Sequence, residues 1–380
     1  MRILMTIDAM GGVFRYAIEL ASWLVAGDVE VVFASMGRAL SPAQRNELAS
    51  RRIVLEESEY RLEWMDEPWH DVERAGSWLL SLEEKYRPDA IHLNGFAHGA
   101  LGFRGPVVVV AHSSVLSWWR AVFGCDAPPS FDRYRAEVTR GLRGAARIVA
   151  PSHAMLDALL EHEPWLEREL ERATPSRGLA RALVIENAVG SEHFVESEKQ
   201  EYVFTASRVW DQAKNVALLR HVAAQVAWPI QVAGEYDAKA SAAFAGSGVS
   251  LLGALRSDEL LPRMAAAGIY VAPALYEPFG LSVLEAAAAG TALILGDIPS
   301  FRELWGSSAL FADPRDAAAW THAVQRLIEQ PALRERLGAS ARARARRFSL
   351  ERMGQAYLAL YRKLEKQRAG NDVYSLGVAP

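Results

Sequence analysis

Tyr276-Glu-Pro-Phe-Gly280-Leu-Ser-Val-Leu-Glu285-Ala-Ala-Ala-Ala-Gly290-Thr291 couples a tight turn to an alanine-rich segment that should be helical. Glu277 stands just before the Pro-Phe-Gly turn, and Glu285 follows eight positions later. Glycine lets a ligand approach the backbone closely. The unpaired N–H groups of a new helix, together with its dipole, make a phosphate site. Carboxylates on either side of such a turn suit sugar hydroxyls flanking a diphosphate. Ser282-Val-Leu-Glu285 also fits a Ser-x-x-Glu capping box, in which both side chains only satisfy helix-end N–H groups. That alternative accounts for neither Glu277 nor the glycine turn.

Outward from this stretch, short apolar runs alternate with longer helical patterns. Arg2–Ile7, Val29–Ala34, Ala90–Leu93, Val107–Ala111, Arg147–Ala150 and Leu183–Asn187 read as strands. A second series follows: Tyr202–Ser207, Ile230–Ala233, Val249–Leu252, Ile269–Ala272, Ala292–Leu295 and Ala309–Ala312. Near-continuous apolar character suits parallel strands covered on both faces. Helical patterns such as Arg15–Ala26, Ala154–Glu161 and Asp316–Glu329 lie between them, and the alternation predicts doubly wound α/β sheets. The series restarts near Tyr202, and the polar stretch Gly190–Gln200 reads as the linker. Ala173–Ala182 reads as a surface loop, and the chain after Gly370 as loosely held. With two such domains, the expected site is the cleft between them.

The bulk numbers agree with two domains: 380 residues exceed one ordinary core. The chain is 51% hydrophobic and 23% charged, with a net charge of −4, which disfavours general nucleic-acid binding. The single cysteine, Cys125, excludes an internal disulfide and a cysteine-based metal cluster. The apolar start meets Asp8 too early for a signal peptide, and no apolar run has the length of a membrane span. A cytoplasmic enzyme is the simplest expectation.

Other residues carry chemistry by position. Gly11-Gly12 follows the first strand, but neither Gly-x-Gly-x-x-Gly nor Gly-x-x-x-x-Gly-Lys-Ser/Thr occurs. His112 sits at the carboxyl end of a buried strand, where it could meet a sugar hydroxyl or be a satisfied polar residue. Arg208 and Lys214 follow the strand Tyr202–Ser207; two cations there could balance a diphosphate or form surface pairs with nearby acids. Trp118-Trp119 could line an acceptor pocket, though packing is the commoner role of such pairs. The same choice applies to Trp64, Trp69 and Trp78, as a lipid- or acceptor-facing segment or as packing. The arginines of Pro331–Arg347 could meet a phosphate or a membrane, though a solvated helix face is the commoner role. No Asp-x-Asp or spaced histidine cluster points to a metal.

Together these residues resemble the retaining glycosyltransferases of family 4, tightest from Gly253 to Pro314. The specific signal is Glu277-x7-Glu285 with Pro-Phe-Gly-Leu between. Ile298-Pro-Ser-Phe-Arg-Glu303 and Ala309-Leu-Phe-Ala-Asp-Pro314 match the family's following segments. The resemblance implies a GT-B fold: two Rossmann-like, doubly wound domains facing each other across a cleft. Residues 1–190, completed by a C-terminal helix within 350–380, would form the acceptor-side domain, and residues 191–349 the donor side. Glu277 would hold hydroxyls of the donor sugar, and backbone N–H groups of Phe279, Gly280 and Leu281 would contact that sugar. N–H groups around Ser282 would hold the phosphate, and Glu285 the ribose. Arg208 and Lys214 would hold the diphosphate, His112 would touch the sugar, and Gly11 and Gly12 would let the first domain close over the phosphates. Two departures stand out: the family's basic pair is commonly one residue closer, and Asn187-Ala188 replaces its usual Asn-Gly.

The implied reaction moves a hexose from a nucleoside-diphosphate sugar, a UDP or GDP sugar foremost, to an acceptor hydroxyl with retention and without a metal. No cofactor is expected beyond that co-substrate. The acceptor would be a small molecule, a glycan or a lipid-linked sugar, and peripheral membrane contact is compatible with this. A sugar phosphorylase or sugar-nucleotide epimerase would use the same fold. A dinucleotide-dependent oxidoreductase would need the missing glycine fingerprint, and a sugar-nucleotide sensor would bind without turnover.

Overall fold

The computed structural model of the chain describes residues 1–9, 11–171 and 181–375. Among the described residues, thirteen strands form two all-parallel sheets. The first holds β1 (Arg2–Asp8), β2 (Glu30–Met36), β3 (Val54–Glu57), β4 (Ala90–Leu93), β5 (Val107–Val110), β6 (Arg147–Ala150) and β7 (Ala182–Val184), in the order β3-β2-β1-β4-β5-β6-β7. The second holds β8 (Gln200–Ala206), β9 (Ile230–Ala233), β10 (Val249–Gly253), β11 (Ala267–Ala272), β12 (Ala292–Gly296) and β13 (Leu310–Ala312), in the order β10-β9-β8-β11-β12-β13. Both are doubly wound. Strand order reverses between β1 and β4 in one and between β8 and β11 in the other, and ligands of such sheets bind at these reversals, beyond the carboxyl ends.

Burial explains why the apolar runs become strands. β4 and β5 are buried along their whole length, and so is β12. A run of valines at 107–110 gains most when both faces are covered. The strand Val54–Glu57 has no counterpart in the sequence reading. It lies at the sheet edge, carries Glu56 and Glu57, and has no fully buried residue, so it lacks the apolar signature of a covered strand.

The chain divides into two compact units. One comprises Met1–Ser117, Asp126–Asn187 and the residues from Leu350 on; the other comprises Trp118–Cys125 and Ala188–Ser349. The helix Leu350–Ser375 belongs to the first unit, burying Met353, Tyr357, Leu360, Tyr361 and Leu364. Those positions recur at helical spacing on one face. Gly354 lets it cross the helix Gly11–Ala26 closely, because a Cβ there would lie 2.2 Å from the Trp23 ring. The helix runs past Gly370, where the sequence suggests loose chain. The loop expected at Ala173–Ala182 falls mostly outside the described residues, and β7 begins at Ala182.

The arginine-rich segment forms the helix Pro331–Ala345, and its arginines are more than a solvated face. Arg334 donates to Leu327 O at 2.6 Å, and Arg344 donates to the carbonyls of Glu303 and Leu304. Arg342 bonds Phe194 O at 3.0 Å and Glu196 at 2.8 Å. Carbonyls at helix ends lack intrahelical partners, and these guanidinium groups supply them.

Candidate functional site

In the second unit, Arg208 and Lys214 follow β8 and Glu277 follows β11, so all three stand at the carboxyl-end reversal of the sheet. Asp211 organises the first of these loops. Its side chain caps the short helix Gln212–Lys214 by accepting from Ala213 N at 3.0 Å. Asn215 then turns left-handed, at φ 53°, and its amide donates to Pro273 O at 3.0 Å and Pro314 O at 2.6 Å. Leu275 N donates to Ala213 O at 2.8 Å, which ties the β8 loop to the β11 loop. Across that seam Lys214 Nζ lies 2.7 Å from Glu277 Oε2, with both side chains largely buried.

Arg208 is the second cation. It donates to Asp211 Oδ2 at 2.7 Å and lies over the exposed Trp210 ring, 5.2 Å from its centroid. Burial alone would raise the Asp211 carboxyl. Lys214 and Arg208, with a hydrogen bond from Trp118, overcome this and hold it below the usual carboxylate range. The Trp118 indole N–H donates to Asp211 Oδ1 at 3.1 Å. Trp118 thus packs as part of the second unit, its ring edge-on to Trp119 and to Phe123.

The glycine turn opens the helix Leu281–Ala288. Its N-cap is Gly280, at φ 87°, and no side chain caps it. A residue with a Cβ there would strain the backbone and meet Phe301 at 3.0 Å. The capping-box alternative is therefore overturned: Ser282 is the second helical residue, and its hydroxyl bonds Tyr270, a buried phenol whose pKa is pushed up to about 12 by desolvation. No side chain caps this helix start, and an uncapped helix N-terminus suits an anion. The Phe279 ring is buried edge-on to Phe348. The Glu277 carbonyl accepts from Ser300 Oγ, which steadies the turn. Glu285 is mostly shielded, one carboxylate oxygen 3.9 Å from His193 Nδ1.

In the first unit, Gly11 and Gly12 open the helix after β1, with Gly11 at φ 71°. His112 follows β5, partly exposed, with Tyr16 edge-on at 4.5 Å between centroids. Its Nε2 lies 2.8 Å from Asn94 Oδ1. Desolvation, with His92 nearby, pushes its pKa down to about 3, so the ring is neutral.

The sequence reading missed Asp211 and Asn94. Asp211 lies inside the Arg208–Lys214 segment, and an Asp two residues before a helical N–H is a cap signature. Asn94 follows β4 at the strand-order reversal, which only the topology makes visible. Trp64 is exposed, Trp78 packs on Tyr60, and Arg133 lies over the Trp69 ring.

A family model described as Glycosyltransferase Family 4 matches residues 10–168, and one described as Glycosyl transferases group 1 matches residues 191–344. A D-inositol 3-phosphate glycosyltransferase of Pseudarthrobacter chlorophenolicus is 25% identical over 402 residues, covering 97% of this chain and 94% of that protein. A D-inositol 3-phosphate glycosyltransferase of Nocardioides sp. is 37% identical over 110 residues, which is 28% of this chain and 24% of that protein. In such local matches the chain spans about a quarter of the relatives' own length. Among solved structures, HepE of Anabaena in complex with UDP and glucose superposes with a TM-score of 0.73 at 17% identity, covering 96% of this chain and 100% of that one.

Proposed function

The chain belongs to glycosyltransferase family 4 and has the GT-B fold, and we propose that it moves a hexose from a nucleoside-diphosphate sugar to an acceptor hydroxyl, retaining the anomeric configuration and using no metal. One observation carries this reading: Lys214, Glu277 and the uncapped N-terminus of Leu281–Ala288 converge at the β8/β11 reversal. Glu277 takes sugar hydroxyls. Lys214 and Arg208 take the diphosphate, and the helix N–H groups at Leu281 and Ser282 complete its shell. Glu285 takes the ribose. Departure of the nucleoside diphosphate concentrates negative charge, and stabilising that charge is the largest catalytic contribution these residues can make. The HepE structures hold UDP, UDP with glucose, and UDP-glucose, which supports a UDP sugar as the first donor to test.

A thermal-shift panel of UDP, GDP, ADP and dTDP with their sugars tests donor binding, because a ligand specific to the folded state raises the midpoint. One nucleotide and its sugar should shift wild type and fail to shift Glu285→Ala; no shift with any of them sinks the reading. For the chemistry, Lys214→Ala should lower kcat more than it raises donor KM, a loss on the order of 2–4 kcal/mol in the barrier. An unchanged kcat with weaker donor binding removes Lys214 from transition-state stabilisation. Sugar release that depends on inorganic phosphate, or that needs no acceptor, identifies a phosphorylase or an epimerase instead.

A further inference from the structure

The cation assigned above to the diphosphate and the carboxylate assigned to the sugar are bonded to one another. Lys214 Nζ donates to Glu277 Oε2 at 2.7 Å, and both side chains are largely buried. Both residues belong to the second unit. Among the described residues this is the one side-chain hydrogen bond that either charged group makes.

Their backbones are held independently of the pair. Lys214 lies in the short helix that Asp211 caps, Leu275 N donates to Ala213 O at 2.8 Å, and the Glu277 carbonyl accepts from Ser300 Oγ. Opening the pair therefore needs only side-chain rotation. The neighbouring pair is built differently. The Asp211 carboxylate that meets Arg208 also accepts from Ala213 N and from the Trp118 indole, so it cannot turn away without uncapping its helix.

A largely buried ion pair resists the loss of one partner more than the exchange of both, because the partner left behind keeps a desolvated charge with nothing to meet it. Two ligands of this site differ in that respect. A nucleoside-diphosphate sugar brings phosphate oxygens for the ammonium and hydroxyls for the carboxylate, so both partners are exchanged at once. A bare nucleoside diphosphate brings only the first, and taking Lys214 strands Glu277 beside the phosphates. Without such a penalty the product, whose terminal phosphate carries the greater charge, would be the tighter ligand of these cations. We propose that the Lys214–Glu277 pair couples the sugar and diphosphate subsites, opening for the intact donor and staying closed against the bare nucleoside diphosphate, so that loss of the sugar loosens the product. This rests on the donor reading above and gives the pair a part in product release.

The test is calorimetric titration of wild type and variants with UDP and UDP-glucose, or with the nucleotide and sugar that shift the melting temperature in their place. Glu277→Gln keeps the side-chain shape. It should bind the bare diphosphate about tenfold more tightly than wild type, the scale of one hydrogen bond to a charged group, and the nucleotide sugar no more tightly. Equal tightening of both ligands would reflect only a more positive field, and it overturns the proposal, as does no tightening of the bare diphosphate. On a Lys214→Ala background the same Glu277→Gln change should bring no gain for the bare diphosphate; a gain that persists there also overturns it. Wild type supplies a measurement that needs no variant to fold. Free glucose, by engaging Glu277, should tighten the bare diphosphate, and linkage requires the diphosphate to tighten glucose by the same factor. Independent binding of the two overturns the coupling. Failure of the donor reading is seen separately, as no nucleoside diphosphate shifting the melting temperature of wild type, and the proposal falls with it.

Discussion

At the scale of single residues, Asp211 carries three duties with one carboxylate: it caps Ala213, pairs with Arg208 and receives Trp118. Asp211→Ala removes the cap and leaves the indole and guanidinium without their acceptor. Urea unfolding should show a loss of about 1–2 kcal/mol, with a fall in kcat from the released Arg208. Asp211→Asn keeps an acceptor for the cap and should recover most of the stability but not the rate. Stability and kcat equal to wild type in both variants would refute the duties assigned to it. Gly280 makes a different demand. At φ 87° with Phe301 3.0 Å from a Cβ position, Gly280→Ala should cost roughly 1–3 kcal/mol. A denaturation midpoint equal to wild type would show that the turn relaxes. Both residues were within reach of sequence reasoning to different degrees. Glycine in a Pro-Phe-Gly turn announces itself, whereas Asp211 is one acid among 46 acidic residues until its neighbours in space are known.

At the scale of elements, the strands were legible because burial on both faces leaves a plain apolar signature, as at Val107–Val110 and Ala292–Gly296. The edge strand Val54–Glu57 was not, since an edge is selected for charge rather than apolarity. The helix Pro331–Ala345 shows the complementary blindness. Its arginines look solvated in one dimension, and only the fold shows which carbonyls they reach. The same helix packs backbone to backbone on the Gly290 turn, a Cβ at Gly338 lying 2.4 Å from Gly290 O. Gly338→Ala should therefore lower the melting temperature by several degrees, with a cost of roughly 1–3 kcal/mol. Because Gly290 ends the segment that carries Glu285, donor affinity should fall with it; a variant as stable and as tightly binding as wild type would show that the helix shifts without consequence.

At the scale of the whole molecule, acid stability is set partly inside the first unit. His92 is fully buried, and its pKa falls from 6.5 to about 4 on folding. Above pH 6.5 it is neutral folded or unfolded and its contribution is complete. As pH falls toward 4 the unfolded chain binds a proton that the folded chain refuses, so stability declines, by roughly 3 kcal/mol in all. Urea unfolding between pH 7 and pH 4 should show this, and a His92→Gln variant should lose that part of the slope. An identical slope in the two proteins would place the titration elsewhere. The two-sheet plan was readable from the alternation of strand and helix patterns and from its restart near Tyr202. The placing of Trp118–Cys125 with the second unit was not, because contiguity in sequence carries no record of which side a helix end packs against.

The helix from Leu350 seals the first unit with Met353, Tyr357, Leu360, Tyr361 and Leu364, yet the roughly 160 residues of Ala188–Ser349 are made before it. A ribosome adding on the order of 5–20 residues per second leaves the first sheet unsealed for several seconds or more. Once Ser349 has been added the second unit has every segment it requires, while the first still waits for the helix that follows. Order of synthesis and order of completion are therefore reversed: the half of the protein that emerges first is finished last, and the nascent chain carries an open apolar seam that a chaperone would have to cover.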